Sequence, residues 1–149
     1  MKYAHIIFLM VVLFTPSCID WGLGELPSYK ESEILDLDFE YRYTVKNDNG
    51  VERLAVKQLQ NKTVISENTI YNYLTIPNAS GSFTEEIVKQ IALTNIIGYA
   101  DISTGAIIKP IEGAPELGEI GDYSSVLKYK VIAANGDSKI WTIYTTLTN

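Results

Sequence analysis

The stretch ILDLDFEYRY, residues 34–43, constrains the fold more than any other part of this chain. Leu35, Leu37, Phe39, Tyr41 and Tyr43 alternate with Asp36, Asp38, Glu40 and Arg42. Successive side chains of an extended strand point to opposite faces. This alternation therefore predicts a strand with one buried apolar face and one wet face. The three carboxylates fall on the wet face, where they read as solvated sheet surface rather than as an acid/base or calcium cluster. Alternate residues on one face lie roughly 7 Å apart, so their mutual repulsion is tolerable in water.

Strand signals continue along the chain. NDNG, residues 47–50, is a strong turn that joins the first strand to a less regular one over 51–59. TIYNYLTIP, residues 69–77, places Ile70, Leu74 and Ile76 opposite Tyr71 and Tyr73. Residues 83–103 open on Thr84-Glu85-Glu86, a helix-start signal, but their β-branched content favours a brief turn followed by strand. The "AII" at 106–108 reads as a buried strand. The segment IEGAPELGEIGDYSS after it is too rich in Gly and Pro for regular structure. Two apolar runs, 129–133 and 140–146, flank Asn135-Gly136-Asp137-Ser138 and predict a hairpin with Trp141 in the core. Six to eight short strands with turn-rich links predict an all-β protein, an antiparallel β-sandwich.

The N-terminus carries a different signal. A basic start (Lys2) precedes the apolar run at 6–14 and then Thr15-Pro16-Ser17. That run is far shorter than the roughly 20 residues a membrane-spanning helix needs, and its layout fits a secretory signal peptide. Cys18 follows a small residue at the end of this signal and is the chain's sole cysteine. It is expected to be the lipidated first residue of the mature protein, since two or more acyl chains make a stable anchor. "TPSC" differs from the usual lipid-attachment box at Thr15 and Pro16. The chain divides into a signal peptide (1–17), a lipidated N-terminus and Gly/Pro-containing tether (18–33), and a sandwich domain (34–149).

Composition then removes several classes of function. The chain carries 12 Lys and Arg against 18 Asp and Glu, a formal charge of −6. Loss of Lys2 with the signal makes the mature chain more acidic still. Nucleic-acid binding needs clustered cations and none appears in the sequence, so no nucleic-acid partner is expected. The single histidine, His5, lies in the signal. A mature chain without histidine, and with its one cysteine at the N-terminus, has no Ser-His-Asp or Cys-His catalysis and no His/Cys zinc site. No cofactor is expected. A carboxylate-only glycosidase stays chemically open but has no paired acids to support it.

The residues that open and close the mature domain resemble a known group. EILDLDFEYRY (33–43), AIIKP (106–110) and YKVIAANGDSKIWTI (129–143) resemble the small immunoglobulin-like domains of Bacteroides-type surface lipoproteins of unknown function. That resemblance implies an immunoglobulin-like sandwich and an outer-membrane lipid anchor. It also implies a non-catalytic binding or accessory role for glycans in a polysaccharide-utilisation system. It supplies no catalytic residue. Sugar binding would need exposed aromatics, for which Tyr71, Tyr73, Tyr99 and Tyr123 are the candidates. The alternative is a structural envelope lipoprotein that contacts an outer-membrane protein complex and takes no small ligand.

Overall fold

The structure, a computed structural model, describes residues 29–148. The signal peptide and Cys18 lie outside the described residues. Within them the chain forms nine strands and one single-turn helix, arranged as two packed sheets. The all-β sandwich expected from the alternating patterns is the observed architecture.

The first strand, β1 (Ile34–Lys46), turns back at 47–50 into β2 (Glu52–Gln58). Asn47 makes that turn. Its side-chain oxygen accepts from the Asn49 and Val51 amides at 3.1 and 2.8 Å, while Gly50 takes the positive φ of 76° that a Cβ would disfavour. The chain then passes from one sheet to the other at the buried Leu59, whose amide donates to the Phe39 carbonyl at 2.9 Å. It continues as β3 (Gln60–Ser66), which pairs with β4 (Thr69–Thr75). After the helical turn α1 (Glu85–Val88) come β5 (Ile96–Ile102), β6 (Ile107–Ile111), the two-residue β7 (Ile120–Gly121), β8 (Leu127–Ile132) and β9 (Ser138–Thr148). One sheet has the order β2-β1-β5-β7 and the other β3-β4-β9-β8-β6.

The core lies between these sheets. It joins Leu37, Phe39 and Tyr41 of β1 and Ile96 of β5 to Ile70 and Leu74 of β4, Tyr129 and Val131 of β8, and Trp141 and Ile143 of β9. Trp141 is 1% exposed, as expected of a core residue. Its indole N–H donates to the Ser32 carbonyl at 2.9 Å, which ties the segment before β1 to the opposite sheet. Tyr123 is also core. Its ring meets Phe39 edge-on at 5.2 Å, and its hydroxyl accepts from the Gly98 amide at 3.0 Å. Gly98 is required at this point, because a Cβ there would sit 2.8 Å from the Tyr123 oxygen.

Four expectations need correction. Leu35 is 59% exposed, because a β-bulge between Ile34 and Asp36 shifts the register and turns it outward. Glu40 is buried rather than wet, covered by neighbours on its own sheet face. The "AII" strand is an edge strand only partly buried: Ile107 points outward and is exposed, while Ile108, paired with Val131, packs against the core. The sandwich is not wholly antiparallel, since β4 and β9 run parallel. Parallel neighbours need a long crossover, and most of the domain lies between these two strands.

The sheet also holds one polar rung. Thr63, Asn72 and Thr145 are register partners across β3, β4 and β9. Asn72 is 1% exposed, and neither end of its amide finds a hydrogen-bond partner in the protein.

Candidate functional site

The four candidate tyrosines separate into three places. Tyr123 is in the core, which takes it off any ligand-facing surface. Tyr99 lies on the outer face of the four-stranded sheet, opposite Asp38 in the register. Its hydroxyl donates to Glu40 Oε1 at 2.8 Å and accepts from the Arg42 guanidinium at 2.7 Å. Arg42 Nε also donates to Glu40 Oε1 at 2.8 Å, and Gln58 Nε2 donates to Oε2 at 3.1 Å. Both carboxylate oxygens of Glu40 are thus engaged. The Glu40 hydrogen bond raises the Arg42 pKa, and burial followed by Glu40 raises that of Tyr99. This network joins β1, β2 and β5 and engages both carboxylate oxygens of the buried Glu40, the pattern of a structural tie.

Tyr71 and Tyr73 stand on the outer face of the five-stranded sheet, where they are 39% and 49% exposed. Strand alternation puts them there, because Ile70, Asn72 and Leu74 take the inner positions of β4. The parallel register sets Tyr71 beside Tyr144 of β9. The two rings stack with centroids 5.2 Å apart and planes 13° from parallel, and Tyr144 is 40% exposed. Tyr73 occupies the adjacent rung, between Lys62 and Thr146. Three tyrosines therefore share one solvent-facing patch on two neighbouring strands. Side-chain hydroxyls of Thr142 and Thr146 flank them on the same face.

Tyr144 is a member of this patch that sequence reasoning missed. Its signal was present: with Trp141 and Ile143 pointing inward, the period of two sends Tyr144 outward. Its pairing with Tyr71, 73 positions away, had no local signal. A separate open cleft of about 350 Å³ lies between the start of β1 and β3, lined by Leu35, Asp36, Asp38, Asn61, Thr63 and Ile65 among others. Within it Thr63 donates to Asp36 at 2.7 Å and Asn61 donates to Thr63 at 3.0 Å, while the buried Asn61 Oδ1 has no partner in the protein. Among the described residues no group of three or more acidic, histidine or cysteine side chains is placed to hold a metal.

A family model described as DUF5018-related matches residues 34–144, almost the whole sandwich. Among solved structures, a protein of Bacteroides fragilis thought to be secreted is similar, with 34% identity and a TM-score of 0.75. The match covers 83% of this chain and 100% of the other. No curated protein matches the chain.

Proposed function

The chain belongs to the DUF5018-related family, and from that premise we propose that it is a non-catalytic binding module of the bacterial cell envelope. On this reading the domain is held at the outer membrane through lipidated Cys18 and takes polysaccharide on the outer face of its five-stranded sheet. The observation that carries it is the patch of Tyr71, Tyr73 and Tyr144. Tyr rings present an apolar face and a polar hydroxyl, which matches the alternating apolar and hydroxyl surfaces of a pyranose. The rings are held by a rigid sheet, so little side-chain freedom is lost on binding. The secreted character attributed to the B. fragilis protein agrees with an envelope location, and so does the signal-like N-terminus.

Two experiments test the two halves of this reading. Affinity electrophoresis in gels containing plant or host polysaccharides should retard the parent chain, and Tyr71→Ala with Tyr144→Ala should abolish the retardation. Retardation that survives the double substitution would remove this face from the site. For the anchor, Cys18→Ala should shift the protein from the membrane to the soluble fraction. Persistence on washed membranes would refute lipidation.

A second reading has its own observation. The free edge strand β2 exposes Leu54 and Val56, and the free edge strand β3 exposes Val64 and Ile65. Exposed apolar edges of this kind suit strand pairing with a protein partner. A structural lipoprotein of an outer-membrane complex would use the backbone of one of these edges, with no need of the tyrosine rings.

A further inference from the structure

The sheet that carries the tyrosines also collects cations. The register places Lys62 beside Tyr73, Lys128 beside Thr142, Lys130 beside Ile140 and Lys109 beside Lys130, all on the outer face. No strand position of that face holds a carboxylate. The outer face of the other sheet has the opposite balance. Asp38, Glu40, Glu52 and Asp101 stand there against Arg42 and Lys46. A chain with a net charge of −6 has thus gathered four of its 12 cationic residues on one sheet face. Lys128 is paired with Glu112 at the edge of the face, at 2.8 Å. Among the described residues, Lys62, Lys109 and Lys130 have no carboxylate within ion-pair distance.

We propose that this face binds an anionic polysaccharide, one carrying carboxylate or sulfate groups along its length; the proposal rests on the glycan reading above and specifies its ligand. The argument is the spacing. Lys62 and Lys130 stand three strands and three rungs apart, roughly 25 Å on the diagonal for ordinary strand spacings. The tyrosines lie between them. A small anion meets one end of this stripe, whereas an extended polymer meets lysines at both ends and the rings in the middle. Like charges such as Lys109 and Lys130 facing each other across two strands repel, and a bound polyanion relieves that repulsion. A second copy of this chain could offer its acidic sheet instead, but Glu40 there is already tied to Arg42, Tyr99 and Gln58.

The full chain, purified in neutral detergent, would be run in native gels containing polygalacturonate, chondroitin sulfate, dextran or poly-aspartate. Retardation by one or both anionic polysaccharides, about tenfold stronger than by dextran and lost at high salt, is the expected result. The polygalacturonate and chondroitin sulfate gels separate carboxylate from sulfate as the recognised group. Lys62→Gln with Lys130→Gln should weaken binding about tenfold, and so should Lys109→Gln with Lys128→Gln. Lys46→Gln on the other sheet should have no effect. Melting by circular dichroism checks that each variant is folded, and either lysine pair alone suffices for the test. Equal, salt-insensitive retardation by dextran would overturn the anionic specificity while leaving the glycan reading intact. Retardation by no polysaccharide would overturn both. Equal retardation by poly-aspartate, unaffected by Tyr71→Ala, would overturn the proposal in favour of an acidic protein partner. Self-association of the parent chain that is lost in the lysine variants would overturn it in favour of a second copy.

Discussion

Trp141 offers the sharpest test of how the two sheets are held together. Replacing it with Ala removes a fully buried indole from the centre of β9. Core truncations of this size cost about 3–5 kcal/mol. The Ser32 carbonyl, on a residue that is itself buried, loses its donor as well. An orphaned buried acceptor costs about 1–3 kcal/mol, part of it recovered if the freed segment reaches water. The expected total of about 4–6 kcal/mol is a large share of the 5–15 kcal/mol that holds a typical domain. Trp141→Phe separates the two contributions. It keeps most of the ring volume but has no N–H to donate, and should cost about 2–3 kcal/mol. Urea unfolding followed by far-ultraviolet circular dichroism is the assay, because substitution of Trp141 removes one of the chain's two tryptophan reporters. With a slope of about 2 kcal/mol per molar urea, Ala should move the midpoint by about 2 M or more and Phe by about 1 M. Hydrogen exchange should also quicken at residues 32–34 in the Phe variant. A midpoint shift below about 0.5 M for Ala would refute the central packing role. Unchanged exchange at 32–34 in the Phe variant would refute the tie to Ser32.

Two further tests address buried polar groups. Asn72→Leu replaces an amide that has no protein partner with an apolar side chain of the same branching and heavy-atom count. It should stabilise the domain by about 1–3 kcal/mol in the same urea assay, and a loss of stability would refute the reading of an unmatched amide. Burial raises the pKa of both Tyr123 and Tyr129 above the ordinary phenol value of about 10. Their contribution to stability is therefore complete below about pH 10. Above it stability falls, as the unfolded chain releases phenolic protons that the folded chain keeps. Phenolate absorbance from these two residues should rise only together with unfolding. Early titration of all the tyrosines in a chain that is still folded would contradict the burial.

The parts of this fold legible in the sequence were those where one face is apolar. Leu37, Phe39 and Tyr41 announce β1, and Trp141 with Ile143 announces β9, because their neighbours alternate in polarity. β3 was not legible. Asn61 and Thr63 occupy its inward positions, so Gln60–Ser66 shows no apolar period. Leu35 belongs to the apolar series of β1 by pattern, yet a bulge of one residue reversed it, and bulges leave no reliable mark in a single sequence. The candidate site was half legible. Tyr71 and Tyr73 stand out as exposed members of an alternating strand. The stack with Tyr144 and the gathering of Lys62, Lys128 and Lys130 depend on which strands become neighbours. Pairing of β4 with β9 across most of the domain is a tertiary fact that local propensity does not encode.

The position of β9 has a consequence for the timing of folding. Ser138–Thr148 lies in the middle of its sheet, between β4 and β8, and brings Trp141 and Ile143 to the core. Until these residues are available, β3 and β4 have no partner on their inner edge, and the β8–β6 pair is separated from them. A ribosome or a translocation pore that still holds the last strand therefore holds a chain with an open sheet and an unfilled interior. Completion of this sheet therefore depends on delivery of β9, whatever the order in which the earlier strands emerge.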